Sequence, residues 1–202
     1  MQKSIGVLGG TFNPIHNGHL AMARAALSQC NLSKVIFLPN GNPPHKTGEP
    51  IVAPEHRLNM VKLAIDGIDV FEVSDYEIKR TEPSYTVHTN RVFKLMYDCP
   101  VHFIIGADSL YTLSKWYRYD ELMAECSFIV ADRLSCHGSD VAKACSEHNQ
   151  RGGSATLLSM PTIDVTSTDI RLIIKNGGNA DEYLPSSVAE YIKAHNLYQS
   201  EV

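Results

Sequence analysis

GGTFNPIHNGH, residues Gly9 to His19, links a short apolar run at Ile5–Leu8 to a helical pattern over Gly18–Gln29. A strand, a glycine turn and a helix in that order form the opening unit of an α/β protein. Gly9 and Gly10 carry no Cβ, so a ligand can approach their backbone closely. Asn17 is expected to cap a helix beginning at Gly18. His16 and His19 are three residues apart, a spacing that presents both rings on one side of the helix start. Backbone N–H groups and the helix dipole already favour an anion there, and two imidazoles add donors. The segment has the parts of a phosphate site, although its spacing alone also suits a glycine turn with two incidental histidines. It is not a dinucleotide fingerprint, because GxGxxG is absent. A zinc reading of the two histidines lacks HExxH and a nearby third ligand.

Outward from this stretch, apolar runs alternate with amphipathic ones to the end of the chain. Strand patterns lie at Val35–Leu38, Val70–Val73, Val101–Ile105, Phe128–Ala131 and Thr156–Ser159. Helical patterns lie at Glu55–Ile65, Thr86–Met96, Asp108–Ala124, Ser167–Asn176 and Ser186–His195. Continuous apolar strands alternating with helices predict a doubly wound parallel α/β sheet covered on both faces. Asn40–Pro54 and Ser135–Gly153 are polar and rich in Gly, Pro or His, so both are expected to be surface loops. The first leaves the carboxyl end of a strand, where open parallel sheets bind ligands.

The chain has 202 residues, 44% hydrophobic and 20% charged, with 18 Lys+Arg against 22 Asp+Glu for a net charge of −4. These values fit one domain over residues 1–202, with a small helical portion from about 166 to the end. They exclude a disordered or low-complexity chain and give no basic nucleic-acid footprint. The five cysteines, Cys30, Cys99, Cys126, Cys136 and Cys145, include no CxxC. Reduced thiols in a cytoplasmic protein are therefore expected. No segment approaches the roughly 20 apolar residues that span a bilayer, so no membrane is expected among its partners.

VTSTDIR, Val165 to Arg171, is the second informative segment. Thr166, Ser167 and Thr168 each offer a hydroxyl at a helix start, and any of them can be the N-cap. Arg171 is expected in the first turn, where a cation opposes the dipole unless an anion sits at the helix end. The segment reads equally as a capped helix with an outward arginine or as half of a polyphosphate clamp. Gly41–Thr47 places a Gly ahead of Lys46 and Thr47 in a way that imitates a P-loop. It lacks the Gly before the lysine, however, and Pro43 and Pro44 remove needed N–H donors. Lys46 remains a candidate single cation for a phosphate.

GGTFNPIHNGH together with VTSTDIR resembles the nucleotidyltransferase superfamily and its HxGH and ISSTxIR signatures. NPPHK at Asn42–Lys46, PSYT at Pro83–Thr86, FIIGADSL at Phe103–Leu110 and KWYRYDEL at Lys115–Leu122 resemble bacterial nicotinate-nucleotide adenylyltransferases. These matches run in order from Gly6 to about Tyr198. The resemblance implies a Rossmann-like nucleotidyltransferase fold and transfer of the adenylyl group of ATP to nicotinate mononucleotide, giving deamido-NAD and pyrophosphate. It implies that His16, His19 and Arg171 are catalytic. ATP would be held by Gly9, Gly10, Thr11, Phe12, His16, His19, Gly106, Asp108, Thr166, Ser167, Thr168 and Arg171. Nicotinate mononucleotide would be held by Asn40, Lys46, Thr86, Trp116 and Tyr117, with Trp116 stacked on the pyridine ring. Without the resemblance, Trp116 reads as a core residue and Asp108 as a helix N-cap. Mg2+ is expected through the ATP phosphates, with no protein-built metal site.

One departure stands out: Asn13 occupies a position where the family usually has Asp. Asn keeps the turn-forming capacity and removes a negative charge. If the family's Asp orients a histidine or the metal shell, turnover is reduced here; if it serves the turn, nothing changes. His88, where an acidic residue or Gln is commoner, receives no role. Rival readings are the pantetheine-phosphate adenylyltransferase, a catalytically silent nucleotide-binding module, and the amide substrate nicotinamide mononucleotide. The sequence leaves open whether copies assemble into a homo-oligomer.

Overall fold

The computed structural model describes residues 3–41, 51–132, 138–160 and 165–199. Its sheet has six strands, all parallel: β1 (Ser4–Gly10), β2 (Leu32–Pro39), β3 (Phe71–Val73), β4 (Val101–Gly106), β5 (Ser127–Ala131) and β6 (Ser154–Leu158). Their spatial order is β3-β2-β1-β4-β5-β6. The strand direction of winding reverses between β1 and β4, and crevices at such switch points open at the carboxyl ends of the strands.

Both faces of the sheet are buried, and the residues alternate between them. Leu8, Val35, Phe37, Ile104, Ile129 and Ala131 face one core, while Ile5, Val7, Ile36, Leu38, Phe103, Phe128 and Val130 face the other. That period of two is why the strands read as continuous apolar runs. The first core is covered by α1 (Asn17–Gln29), α2 (Pro54–Ile65), α7 (Ser167–Lys175) and α8 (Ser186–Ala194). The second is covered by α3 (Thr86–Tyr97), α4 (Ala107–Thr112), α5 (Tyr119–Glu125) and α6 (Gly138–Gln150). The C-terminal helical portion thus joins the first core, with His56 Nδ1 of α2 2.9 Å from the Tyr191 hydroxyl of α8.

Three expectations are corrected. Ser135–Gly153 is not a loop throughout: α6 occupies Gly138–Gln150 and buries Val141, Cys145 and His148. Their spacing of four and three is a helical stripe, diluted in sequence by the polar residues of the outer face. The helix expected over Asp108–Ala124 is broken into α4, a 3-10 turn at Leu113–Lys115, and α5. Trp116 is extended and Arg118 is left-handed at φ 54°, a detour between the buried Leu113 and the buried Leu122. Asn17 is the first residue of α1 rather than its cap, which is His16.

The four described cysteines, Cys30, Cys99, Cys126 and Cys145, are free thiols. Burial pushes Cys126 up to about 12, so it is a core residue rather than a nucleophile. Among the described residues no helix is long and apolar enough to cross a membrane.

Candidate active site

The loop between β1 and α1 lies at the switch point, beside the end of β4, with Leu8 in register with Ile104. A Cβ on Gly9 would meet nothing within 4 Å, so this backbone is open to a ligand. A Cβ on Gly10 would instead press on the Phe12 ring at 3.2 Å, so that glycine is required by packing. Phe12 itself is left-handed at φ 49° and buried, with its ring against His19 and Phe37. Its contribution to a ligand is therefore confined to the backbone.

His16 and His19 form a reciprocal capping box. His16 Nδ1 accepts from the Gly18 N–H at 3.2 Å, and His19 Nδ1 accepts from the His16 N–H at 3.2 Å. An accepting Nδ1 carries no proton, so each ring holds its hydrogen on Nε2. The ring centroids are 3.8 Å apart. The box thus satisfies two N–H groups of the helix end and fixes both tautomers as Nε2 donors.

Helix α7 meets this loop with its N-terminus. Ser167 Oγ donates to Pro14 O at 2.9 Å, and Arg171 Nη1 donates to Asn13 O at 2.9 Å. Of the three candidate capping hydroxyls, Thr166 is the N-cap, accepting from Asp169 N at 3.1 Å and donating to Asp169 Oδ2 at 2.6 Å. Those Thr166 hydrogen bonds hold the Asp169 carboxyl below its usual range. The Thr166 hydroxyl is thus committed to the cap and Ser167 to the loop, while Thr168 Oγ1 accepts from Arg171 at 3.2 Å. Arg171 is the fifth residue of the helix, not a first-turn residue, and reaches back along it. Gly106 precedes α4 as its cap without a side-chain hydrogen bond. Asp108 is an exposed first-turn residue and not the N-cap that the strand–helix junction suggested.

Asn13 is 2% exposed. Its Oδ1 accepts from Val52 N at 3.3 Å and from the Tyr198 hydroxyl at 3.0 Å. Tyr198 follows α8, so Asn13 ties the phosphate loop to the C-terminal segment. Burial raises the Tyr198 phenol above its usual range, keeping it a donor.

Asn40, directly after β2, also reaches the loop. Its N–H donates to Gly10 O at 3.0 Å, and its Nδ2 lies 3.5 Å from Thr11 Oγ1. Thr86 opens α3 behind Tyr85, whose ring stacks on Tyr117 with centroids 4.1 Å apart. His88 meets both tyrosines edge-on. Trp116, next to Tyr117, is partly buried against the second core. Thr86, Trp116 and Tyr117 are thereby gathered in one place. Lys46, and most of the Asn40–Pro54 stretch, lies outside the described residues. The sequence reading gave His88 no role, quoted Tyr85 only as part of PSYT, and passed over Tyr198, Glu77 and Arg57. Of the last three, only Arg57 carried a visible signal, a charge within the apolar repeat of α2.

The cytidylyltransferase-like family matches residues 7–173. A Synechococcus sp. relative named for nicotinate-nucleotide adenylyltransferase is 42% identical over 199 residues, covering 98% of this chain and 95% of its own. A Caldicellulosiruptor bescii relative of the same name is 40% identical, covering 96% of this chain and 98% of its own. Among solved structures, the Plasmodium falciparum nicotinic acid mononucleotide adenylyltransferase complexed with NaAD is 20% identical, with a TM-score of 0.78 over 97% of each chain. That likeness is one of fold.

Proposed function

The chain belongs to the cytidylyltransferase-like family and, within it, to the nicotinate-nucleotide adenylyltransferases, and we propose that its residues divide one adenylyl transfer as follows. The reaction takes ATP and nicotinate mononucleotide to deamido-NAD and pyrophosphate. A phosphate oxygen of the mononucleotide attacks the α-phosphorus of ATP. The new P–O bond forms as the bond from that phosphorus to the bridging oxygen breaks, and the electron pair leaves with pyrophosphate. The attacking phosphate has a second pKa of about 6, so it is mostly dianionic near neutral pH. No protein nucleophile or strong base is needed, and catalysis reduces to positioning and charge stabilisation.

The observation that carries this reading is the meeting of α7 with the β1–α1 loop, through Ser167 to Pro14 and Arg171 to Asn13. That contact brings the starts of α1 and α7 together with the Arg171 guanidinium and the half-buried His19, groups suited to a polyphosphate, while His16 is 1% exposed. His16 and His19 hold the ATP phosphates, with His19 placed to stabilise the charge that develops in the transition state. The α7 N-terminus and Arg171 receive the departing β- and γ-phosphates. Thr166 and Ser167 serve mainly by locking that helix end, and Thr168 by holding Arg171. Gly9, Gly10, Thr11 and Phe12 offer backbone, and Gly106 and Asp108 face the ribose. Asn40 and Lys46 hold the mononucleotide phosphate, while Thr86, Trp116 and Tyr117 receive the pyridine ring and its carboxylate.

Among the described residues no three His, Cys, Asp or Glu side chains gather as metal ligands. Imidazole, hydroxyl and guanidinium groups suit phosphate oxygens, so Mg2+ would ride on the ATP phosphates and water. There it would neutralise phosphate charge. Residues 1–202 act as one nucleotidyltransferase domain, since α7 and α8 complete both the core and the site.

The reverse reaction tests the assignment. Deamido-NAD with pyrophosphate and Mg2+ should yield ATP and nicotinate mononucleotide; absence of ATP formation by the folded protein would contradict it.

A further inference from the structure

Helix α2 buries Arg57, Met60, Val61, Ala64 and Ile65 on one face. These are positions i, i+3, i+4, i+7 and i+8, so Arg57 occupies a core position in an otherwise apolar stripe. It is 1% exposed and is among the largest fully buried side chains of the protein. Its guanidinium makes four hydrogen bonds. Nη1 donates to Thr11 O at 2.8 Å and to Asn40 Oδ1 at 3.3 Å, Nη2 to Gly41 O at 3.3 Å, and Nε to Val52 O at 3.3 Å.

All four acceptors are neutral, and among the described residues no carboxylate is in ion-pair contact with Arg57. Desolvation pushes its pKa down, with only Tyr198 and Glu55 opposing electrostatically. Arginine nonetheless stays protonated at any physiological pH. A buried cation with no counter-ion among the described residues is costly, and a methionine would fill the same stripe without that cost. The charge therefore calls for a function, and its surroundings supply one. Its four partners belong to the β1–α1 loop, to the chain leaving β2 and to the chain entering α2. Gly41 in turn packs so tightly on the next layer that a Cβ there would come within 2.3 Å of Glu77 O. Glu77 accepts from Thr89 of α3 at 2.8 Å, which connects this layer to the helix that Thr86 opens.

The decisive detail is the orientation of the Asn40 amide. With Oδ1 bound to Arg57, the amino end of the amide points away from the guanidinium, toward Thr11 Oγ1. An amide held that way offers N–H donors to an incoming ligand, which is the polarity that a phosphate needs. We propose that Arg57 is a positioning residue for the adenylyl transfer, fixing Asn40 so that its amino group faces the mononucleotide phosphate while joining the two substrate loops at a set distance. This inference rests on the function proposed above. A merely structural arginine would hold the loops without any dependence on what Asn40 presents.

The test is a double-mutant cycle in the full chain, reading the mononucleotide KM and kcat separately. The unmodified protein is assayed first; if it forms no deamido-NAD, the functional reading falls and this inference falls with it. Given activity, R57K keeps the charge but cannot span the four acceptors, and it should raise the mononucleotide KM about tenfold. N40A should do the same. The double variant should be no worse than the more severe single one, because the arginine acts through the asparagine. Multiplied effects, about 100-fold in the double variant, or an unchanged KM in folded R57K, would overturn the proposal. If R57K fails to fold, N40D decides the matter. It keeps an acceptor for Arg57 and replaces the outward amino group by a carboxylate oxygen. It should raise the mononucleotide KM at least about tenfold with little change in the ATP KM, and an unchanged mononucleotide KM would overturn the inference.

Discussion

His16 and His19 are held by the helix start that they cap. Each spends Nδ1 on the backbone of the helix start, and that expense is what aims Nε2–H as a donor. If His19 stabilises developing phosphate charge, His19→Ala should lower kcat by at least about 100-fold in steady-state assays. Turnover near that of the parent would remove His19 from the role. Asn13 carries the usual family Asp to a neutral amide without disturbing this pair's capping box, since its Oδ1 serves Val52 and Tyr198. The geometry favours anchoring of the turn over the reading of a lost catalytic charge. The histidines were legible in sequence because they sit three residues apart. The Asn13 anchor was not, because its Tyr198 partner lies 185 residues away.

Glu77 gives a pH prediction of the same kind. Burial raises its carboxyl from 4.5, and the Thr89 hydrogen bond only partly opposes this. Below the unfolded-state value the group is neutral in both states and contributes its full stability. As pH rises through the folded value, the native state must ionise a buried acid, and that contribution is lost. Glu77→Gln keeps an acceptor for Thr89 and cannot ionise. Its unfolding free energy relative to the parent should therefore rise from pH 4.5 to neutrality in denaturant titrations. A pH-independent difference would contradict the account.

At the scale of elements, the α7 N-terminus divides labour among its hydroxyls in a way that VTSTDIR alone left open. Thr166 closes the cap, Ser167 grips Pro14 and Thr168 steadies Arg171. Sequence patterns found α1, α2, α3, α7 and α8 because each has a single apolar stripe. They failed for α6, whose three buried positions are diluted by the polar residues around them, and for the stretch holding Trp116, where the chain leaves the helix between two core leucines. That detour leaves Tyr117, the chain neighbour of Trp116, stacked on Tyr85, the residue before Thr86. Trp116→Ala should accordingly raise the mononucleotide KM and leave ATP affinity unchanged. Weakened ATP binding with an unaltered mononucleotide KM would exclude the stacking role.

For the molecule as a whole, the proposed site lies where the winding reverses. With β1 and β4 adjacent at the centre of the sheet, the Gly9–Gly10 and Gly106 ends open on one crevice. Helix α7, arriving from the far end of the chain, meets the β1–α1 loop there. The alternating pattern made the doubly wound class readable from sequence. It could not reveal that α7 and α8 return to the first core beside α1 and α2, because that contact depends on packing between distant segments. In the proposed assignment the mononucleotide groups lie on α3 and on the Trp116 detour, at the border of the second core, and the ATP groups lie on α1 and α7 over the first. This division predicts a protein whose ATP site is generic and whose second site sets the reaction. The most direct measurement is pyrophosphate release with ATP and Mg2+ when nicotinate mononucleotide, nicotinamide mononucleotide and phosphopantetheine are offered separately. A strong preference for the acid mononucleotide is the predicted result. Activity with phosphopantetheine instead, or ATP binding with no release from any of the three, would contradict it.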